Sequence, residues 1–384
     1  MGTEKSNLKI GITCYPTYGG SGVLATELGK RLALHGHEIH FITYALPYRL
    51  KEFHRNIYFH EVQVSNYPVF EYQPYTLSLA VKMHDVIGEY GLDLLHLHYA
   101  IPHATSAWIA RQMLGDKHPV RLITTLHGTD ITLVGQEQSF KSITRFSIEQ
   151  SDGVTAVSNY LRNQTLEIFG VEKPIEVIPN FVDTEVFKRR DDFVCCRKTL
   201  TDGTEKIIMH ISNMRPVKRL RDVVQVFARV ASETRAQLVL VGDGPERAPA
   251  YSLAEELGVA DRCIFLGAQE SIDCLLNCAD LLLQPSATES FGLSVLEALS
   301  TGVPVVATRC GGPEEVVLQG ECGYLSEVGD VEEMARNCLR LLTDRELYEA
   351  FSRKAREHAV ANFDIREITG RYESFYQSIL ERSS

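Results

Sequence analysis

The sequence predicts an α/β protein with two doubly wound, Rossmann-like domains, each a parallel sheet covered by helices. Three observations support this fold class. The chain has 384 residues, more than one hydrophobic core usually supports. Short apolar runs alternate with amphipathic stretches along most of it, which is typical of parallel sheets. The alternation is interrupted by the charged segment 188–192 and then begins again.

The first series of predicted elements fills the N-terminal half. It begins with a strand at 8–14, a helix at 23–35 and a strand at 38–44. Further strands are predicted at 57–64, 94–98, 121–126, 154–157 and 175–178. Because each run is short, apolar and separated from the next by helix-compatible or turn residues, we expect one domain at 1–185.

The second series follows the charged connector. Its strands are predicted at 207–211, 238–241, 263–266, 281–283 and 303–307. We expect a C-terminal domain at 186–362 and a terminal helix within 363–384 that packs against the first domain.

Composition limits the classes of partner. The net charge of −11 and the pI near 5.7 argue against nucleic acid or an anionic membrane as the main partner. No apolar run is long enough to span a bilayer, and the first seven residues are polar, so we expect a cytoplasmic protein without membrane attachment. The nine cysteines include no C-x-x-C pair, which predicts neither a disulfide framework nor a zinc site.

Two carboxylates stand eight residues apart around a glycine at a predicted helix start. Glu289 follows the loop 285–288, and Glu297 lies one turn inside a helix predicted at 293–300. The helix start presents backbone N–H groups to a phosphate, from Phe291, Gly292 and Leu293. The two carboxylates suit sugar hydroxyls, so the pattern predicts a nucleotide-sugar site. The alternative is a pair of solvated surface charges.

A glycine-rich turn joins the first strand to the first helix. Gly19 and Gly20 lie in it and are expected to cradle a diphosphate. The turn matches neither G-x-G-x-x-G nor the P-loop pattern, so a dinucleotide site and a P-loop are weakly supported. A purely structural turn is the alternative.

Cations follow the first strand of the second domain. Asn213, Arg215 and Lys218 lie at its carboxyl end, where open α/β sheets bind ligands and where cations suit a diphosphate. A solvated basic loop is the alternative. Gly242 and Ala268 lie in turns after the next two strands and are expected to offer main-chain groups to a base.

Histidines mark two strand ends of the first domain. His127 follows the strand at 121–126, and the adjacent Gly128 favours a turn with an exposed, functional ring over a core histidine. His96 and His98 share one strand face and superficially resemble a metal site. Without a nearby third ligand, a structural pair is favoured.

Taken together, Gly19-Gly20, His127, Lys218, Gly242-Asp243-Gly244 and the Glu289/Glu297 pair resemble the retaining family-4 glycosyltransferases of the GT-B fold. The resemblance covers nearly the whole chain and implies two Rossmann-like domains with an interdomain cleft. Segments 10–16, 98–104, 125–131 and 212–213 resemble most closely the branch of the family that begins bacillithiol synthesis. One departure is Asn213, where the family usually has an arginine that Arg215 or Arg219 would replace.

The resemblance implies UDP-N-acetylglucosamine as donor, UDP as product, L-malate as acceptor and an α-linked product of retained configuration. It implies no cofactor and no metal, and a homo-oligomer is compatible with it. The catalytic residues it implies are Glu289, His127 and Lys218. The donor-binding residues are Gly19, Gly20, Asn213, Arg215, Lys218, Gly242, Ala268, Ser290, Phe291, Gly292, Leu293 and Glu297. The acceptor-binding residues are Tyr99, Thr129 and Arg145.

Other functions stay open at this point. A related transferase would use a polyol phosphate or a lipid-linked sugar as acceptor, and a GT-B epimerase would use the same donor. A sensor would bind the sugar nucleotide without turnover. For Arg145, the alternative to an acceptor contact is a surface ion pair with Glu149 at i,i+4.

Overall fold

The computed structural model describes residues 7–17, 20–50, 52–64, 73–132, 135, 137–190, 194–203 and 205–382. The chain divides into two compact units, Met1–Asn180 with Ile365–Ser384 (unit 1) and Phe181–Asp364 (unit 2). Each unit contains one parallel sheet with helices, so the predicted α/β class with two Rossmann-like sheets is confirmed.

Unit 1 contains a seven-stranded parallel sheet. Its strands are β1 (Lys9–Thr13), β2 (Glu38–Thr43), β3 (Ile57–Glu61), β4 (Leu94–His98), β5 (Arg121–Leu126), β6 (Gly153–Ala156) and β7 (Ile175–Val177). The strand order is β3-β2-β1-β4-β5-β6-β7. The order therefore reverses between β1 and β4, and open α/β sheets bind ligands at the carboxyl ends of strands beside such a reversal.

Helices cover this sheet. They are α1 (Gly20–Leu34), α2 (Tyr75–Tyr90), α3 (Thr105–Leu114), α4 (Thr129–Thr132), α5 (Gln138–Gln150) and α6 (Asn159–Phe169). A buried apolar layer holds α2 and α3 on the sheet, and its members Leu79 and Met83 of α2 have 0% exposure.

Unit 2 contains a six-stranded parallel sheet in the order β10-β9-β8-β11-β12-β13. Its strands are β8 (Lys206–Ile211), β9 (Ala236–Val241), β10 (Cys263–Gly267), β11 (Leu281–Gln284), β12 (Val305–Thr308) and β13 (Gly323–Ser326). Its helices are α7 (Val194–Leu200), α8 (Leu220–Glu233), α9 (Arg247–Glu256), α10 (Ile272–Cys278), α11 (Leu293–Ser300), α12 (Pro313–Val316), α13 (Val331–Thr343) and α14 (Arg345–Phe363). Here the order reverses between β8 and β11.

The last helix, α15 (Ile365–Leu380), belongs to unit 1. The Tyr376 hydroxyl lies 2.8 Å from Nδ1 of His96, whose Nε2 lies 2.7 Å from Oγ1 of Thr125. Both ring nitrogens of His96 are therefore occupied inside the protein. This histidine is structural, and it joins α15 to the sheet.

Residues 181–187 pack on unit 2. The Val182 N–H donates to the Phe363 carbonyl at 2.9 Å, and the Phe187 carbonyl accepts from Oγ of Ser300 at 2.7 Å. These bonds place the start of unit 2 at Phe181, ahead of the charged connector. No helix within the described segments combines the length and the apolar character needed to cross a bilayer.

Candidate functional site

The centre of the site in unit 2 is an ion pair between Lys218 and Glu289, which are far apart in the sequence. Lys218 follows β8 and Glu289 follows β11, and these two strands are neighbours in the sheet. Nζ of Lys218 donates to Oε2 of Glu289. The side chains are only 15% and 18% exposed, so neither is a solvated surface charge.

The backbone around Glu289 is fixed by the loop after β12. The Glu289 N–H donates to the Cys310 carbonyl at 3.1 Å, and its carbonyl accepts from the Gly312 N–H at 2.7 Å. A Cβ at position 312 would lie 2.3 Å from the Phe291 backbone, so only glycine allows this approach. The carboxylate is thereby held close to the start of α11.

The glycine turn before α11 has the predicted geometry. Gly292 adopts φ +93°, in the left-handed region, and Leu293 begins the helix. The N–H groups of the first helical turn have no partner within the helix, so this end favours an anion. Glu297 lies inside α11 and is buried, with 9% exposure.

A hydrogen-bonded turn places the cations after β8. Nδ1 of His210 donates to the Leu283 carbonyl at 2.9 Å, which leaves Nε2 as an acceptor for the Ser212 hydroxyl at 2.8 Å. The same hydroxyl oxygen accepts from the Met214 N–H at 3.1 Å. The turn carries Asn213 and Arg215 on the surface, where both are exposed.

Three strand ends meet beside this turn. A Cβ on Gly242, which has φ +117°, would lie 1.8 Å from the Ser212 carbonyl oxygen. The Gly242 N–H donates to the Gly267 carbonyl at 2.8 Å, and Ala268 follows in an exposed position. The residues that follow β8, β9 and β10 therefore present their main-chain groups on one surface.

In unit 1, His127 lies at the end of β5 beside His98 of β4. Nε2 of His127 is 2.8 Å from Nδ1 of His98, and their rings stack at 5.1 Å. The residue is half-buried, not exposed as Gly128 suggested. Burial lowers the pKa of His127 to about 3, so the imidazole is neutral at physiological pH.

Asp130 organises the loops that carry Tyr99 and His127. Its two carboxylate oxygens accept from the N–H groups of Ala100 at 2.9 Å and Gly128 at 3.1 Å. Asp130 is 2% exposed, and this burial raises the pKa of its carboxyl to about 6. Asp130 lies in the same sequence segment as His127, but the role of this carboxylate depends on backbone donors from two separate strand ends.

Tyr99 has an unusual backbone and a defined side-chain partner. Its φ of +112° lies outside the regions that residues with a Cβ normally adopt, and such strain is concentrated at functional sites. The hydroxyl lies 2.8 Å from Oγ of Ser21 in the first turn of α1. Gly20 begins that helix, whereas Gly19 lies outside the described residues.

The remaining predicted acceptor residues are exposed. Thr129 is the first residue of α4, and Arg145 lies in the middle of α5. The ion pair considered as the alternative for Arg145 is not among the ion pairs of the described residues, and Glu149 instead accepts from the Glu172 N–H at 2.8 Å. The described residues include no cluster of three or more His, Cys, Asp or Glu side chains suited to a metal ion.

Two family models match the chain. The model for Glycosyltransferase Family 4 covers residues 18–186, and the model for Glycosyl transferases group 1 covers residues 196–358. The chain is also 50% identical over 373 residues to N-acetyl-alpha-D-glucosaminyl L-malate synthase of Bacillus anthracis, which is 97% of each protein. An uncharacterized glycosyltransferase of Methanocaldococcus jannaschii is 26% identical over 348 residues, covering 89% of this chain and 90% of the relative.

Solved structures agree with these matches at the level of the fold. Anabaena HepE in complex with UDP-glucose aligns with a TM-score of 0.82 and 22% identity, over 97% of this chain and 100% of that one. Sucrose-phosphate synthase from Thermosynechococcus elongatus aligns with a TM-score of 0.82 and 20% identity, over 98% and 100%. The family models cover both units, and a relative with 50% identity aligns over 97% of both chains. The chain therefore belongs to glycosyltransferase family 4, with the GT-B fold.

Proposed function

We propose that this protein transfers N-acetylglucosamine from UDP-N-acetylglucosamine to the hydroxyl of L-malate, with retention of configuration, as the first step of bacillithiol synthesis. The observation that carries the proposal is the 50% identity to the Bacillus anthracis synthase over 97% of both chains. The structures of Anabaena HepE with UDP and with UDP-glucose support a UDP-sugar as the class of donor.

The residues of unit 2 that bind the sugar-nucleotide donor each contact a different part of it. The main-chain groups after β9 and β10 contact the base, and Glu297 accepts hydrogen bonds from the ribose hydroxyls. The N-terminus of α11, Arg215 and Lys218 neutralise the diphosphate. Glu289 accepts hydrogen bonds from the hydroxyls of the sugar. The ion pair between Lys218 and Glu289 supports these last two roles, since it places a cation beside a carboxylate.

The proposed reaction keeps the acceptor on the face of the sugar from which UDP departs. The malate hydroxyl oxygen forms a bond to the anomeric carbon as the bond from that carbon to the β-phosphate oxygen breaks. The hydroxyl proton passes to the departing phosphate. Lys218 and the helix N-terminus stabilise the charge that develops on UDP, and neutral His127 binds the sugar. No metal takes part in this scheme.

The acceptor residues are assigned to unit 1. Malate carries two carboxylates, so its site requires a cation and neutral donors. Arg145 supplies the cation, Tyr99 supplies a hydroxyl, and Thr129 is a further donor. Arg145 is exposed on α5, so its guanidinium is accessible to a carboxylate of the acceptor.

A panel of acceptors tests the proposed function. Purified protein is incubated with UDP-N-acetylglucosamine and, in separate reactions, L-malate, other hydroxy acids, a polyol phosphate or no acceptor. Released UDP and product mass are measured, with and without EDTA. We expect a glycosylated product with L-malate at an unchanged rate in EDTA. Transfer only to the polyol phosphate, or UDP binding without turnover, would replace the proposal by one of the alternative functions.

Glu297→Ala is expected to weaken UDP binding about ten- to a hundredfold, because a hydrogen bond to a charged group contributes roughly 1.5–3 kcal/mol. Isothermal titration calorimetry measures this change. Glu346→Ala, an exposed glutamate in the first turn of α14, is the matched control. Wild-type UDP affinity in folded Glu297→Ala would remove the ribose role.

Arg145→Ala is expected to raise the apparent KM for malate at least about tenfold, because loss of the cation leaves a carboxylate without its charged partner. UDP affinity and melting temperature should stay unchanged, since Arg145 is exposed. Arg353→Ala, an exposed arginine of α14, is the control. If neither Arg145→Ala nor Tyr99→Phe alters the malate dependence, the acceptor binds elsewhere.

A further inference from the structure

A second donor to the Glu289 carboxylate lies inside the protein. Ser286 has 0% exposure, and its Oγ is 3.2 Å from Oε2 of Glu289. An ionised carboxylate only accepts, so the hydroxyl donates. Nε2 of Gln284 lies 3.4 Å from the same hydroxyl oxygen, which gives a chain of donors from Gln284 through Ser286 to Glu289. Such chains strengthen each bond by polarisation.

Ser286 is fixed more firmly than Lys218. Its carbonyl accepts from Oγ1 of Thr308 at 2.5 Å, and the next residue, Ala287, donates its N–H to the Val217 carbonyl at 2.8 Å. The serine hydroxyl has one rotatable bond to this anchored backbone. Lys218 reaches the carboxylate on a flexible four-carbon side chain, and its ammonium acts as a point charge with no preferred plane.

Both contacts fall on the same carboxylate oxygen. Lys218 and Ser286 bind Oε2 of Glu289, which leaves Oε1 for a hydroxyl of the ligand. A bound diphosphate carries more negative charge than a carboxylate and competes for the ammonium. The neutral serine hydroxyl is not attracted in this way, because it carries no net charge.

We propose that Ser286 is a positioning residue, which holds the Glu289 carboxylate toward the donor sugar when the diphosphate attracts Lys218. The inference rests on the proposed function, in which Glu289 binds that sugar. It predicts that Ser286 contributes to recognition of the sugar and not to recognition of the nucleotide.

Calorimetry without acceptor tests the inference by comparing UDP with UDP-N-acetylglucosamine. We expect wild-type protein to bind UDP-N-acetylglucosamine more tightly than UDP, and the ratio of the two affinities is the sugar-dependent gain. Ser286→Ala is expected to reduce that gain about tenfold, the size of one charge-assisted hydrogen bond, and to leave UDP affinity unchanged. Ser286→Cys keeps the shape of the side chain with a somewhat larger atom and is a weaker donor, so it should lose part of the gain. If the alanine variant does not fold, the two affinities are compared in the cysteine variant alone.

Ser326→Ala is the matched control, since Ser326 is a buried serine of unit 2 in β13 whose Oγ accepts from Asn337 at 3.3 Å. It should bind both ligands like wild type. A full sugar-dependent gain in Ser286→Ala and Ser286→Cys would overturn the positioning role alone. Equal loss of UDP and UDP-sugar binding would also overturn it, because that pattern indicates a general structural role. A wild-type protein without any sugar-dependent gain would refute the proposed donor, and this inference with it.

Discussion

Glu289→Gln is expected to lower kcat about a hundredfold while leaving UDP affinity within about twofold of wild type. A loss of this size is usual when one preorganised electrostatic contact to the reacting group is removed. The amide keeps the shape of the side chain but removes the charge that strengthens hydrogen bonds from the sugar hydroxyls. UDP affinity should not fall, because Lys218 loses the carboxylate partner it has in the free protein and becomes available to the diphosphate.

The measurement combines steady-state kinetics with calorimetry on the same preparation. Glu332→Gln, which changes an exposed glutamate paired with Arg229, is the matched control and should match wild type in both. A parallel fall of kcat and UDP affinity in Glu289→Gln would assign this carboxylate to the nucleotide. An unchanged kcat would remove it from the catalytic residues.

Unit 1 is expected to lose a large part of its stability between pH 6.5 and pH 5, because it buries several neutral histidines. Burial lowers the pKa to about 3 for His96 and to about 4 for His103, and lowers it well below the usual value for His98. All three are at most 2% exposed. In the unfolded chain each titrates near 6.5, about the value for a free histidine.

The sign of this pH dependence follows from the protons that each state binds. Below pH 6.5 the unfolded chain binds more protons than the folded one, so the free energy of unfolding decreases as pH falls toward the folded pKa values. At pH 5 each histidine accounts for about 2 kcal/mol, and three account for about 6 kcal/mol. The carboxyl of Asp130 in unit 1, whose pKa burial raises to about 6, takes up a proton in the folded chain over the same range and offsets about 1 kcal/mol of this loss. A domain has about 5–15 kcal/mol in total, so the remaining loss is a large fraction of the stability of unit 1.

Trp108 makes the acid effect measurable in unit 1. It is the single tryptophan of the chain and packs in α3 against Phe146 at 4.9 Å. Urea unfolding followed by its fluorescence should show a steep decrease in stability from pH 7 to pH 5. His103→Gln should reduce the slope of stability against pH by about one proton, whereas the same change at the half-buried His84 should leave the slope unchanged. Equal stability at the two pH values would contradict the burial of neutral histidines.

The sequence predicts the fold well where apolar runs have clear ends. The strands β4 and β5 match the predicted 94–98 and 121–126, because both lie in the middle of a sheet and are buried apart from Arg121 at the start of β5. The strand β13 was not predicted. Its four residues form a strand through pairing with β12, and that long-range contact leaves no periodic signal in a segment so short.

The residues of the site were likewise predicted only in part. Motifs around Glu289 and Lys218 are visible in the sequence, but their ion pair depends on the neighbouring positions of β8 and β11. The partners Ser286 and Asp130 were missed as functional candidates. Each acts through hydrogen bonds whose geometry exists only after the strand ends have come together. Small polar residues near strand ends, beside a predicted charged residue, are the signal that would have indicated them.

The most direct test of the proposed function is the structure of the product. Wild-type protein is incubated with UDP-N-acetylglucosamine and L-malate, and proton NMR follows the anomeric signal over time. We expect one new α-anomeric signal, correlated with the malate methine, that grows in step with free UDP. A β-anomer would contradict retention of configuration, and consumption of the donor without a malate conjugate would contradict the proposed acceptor.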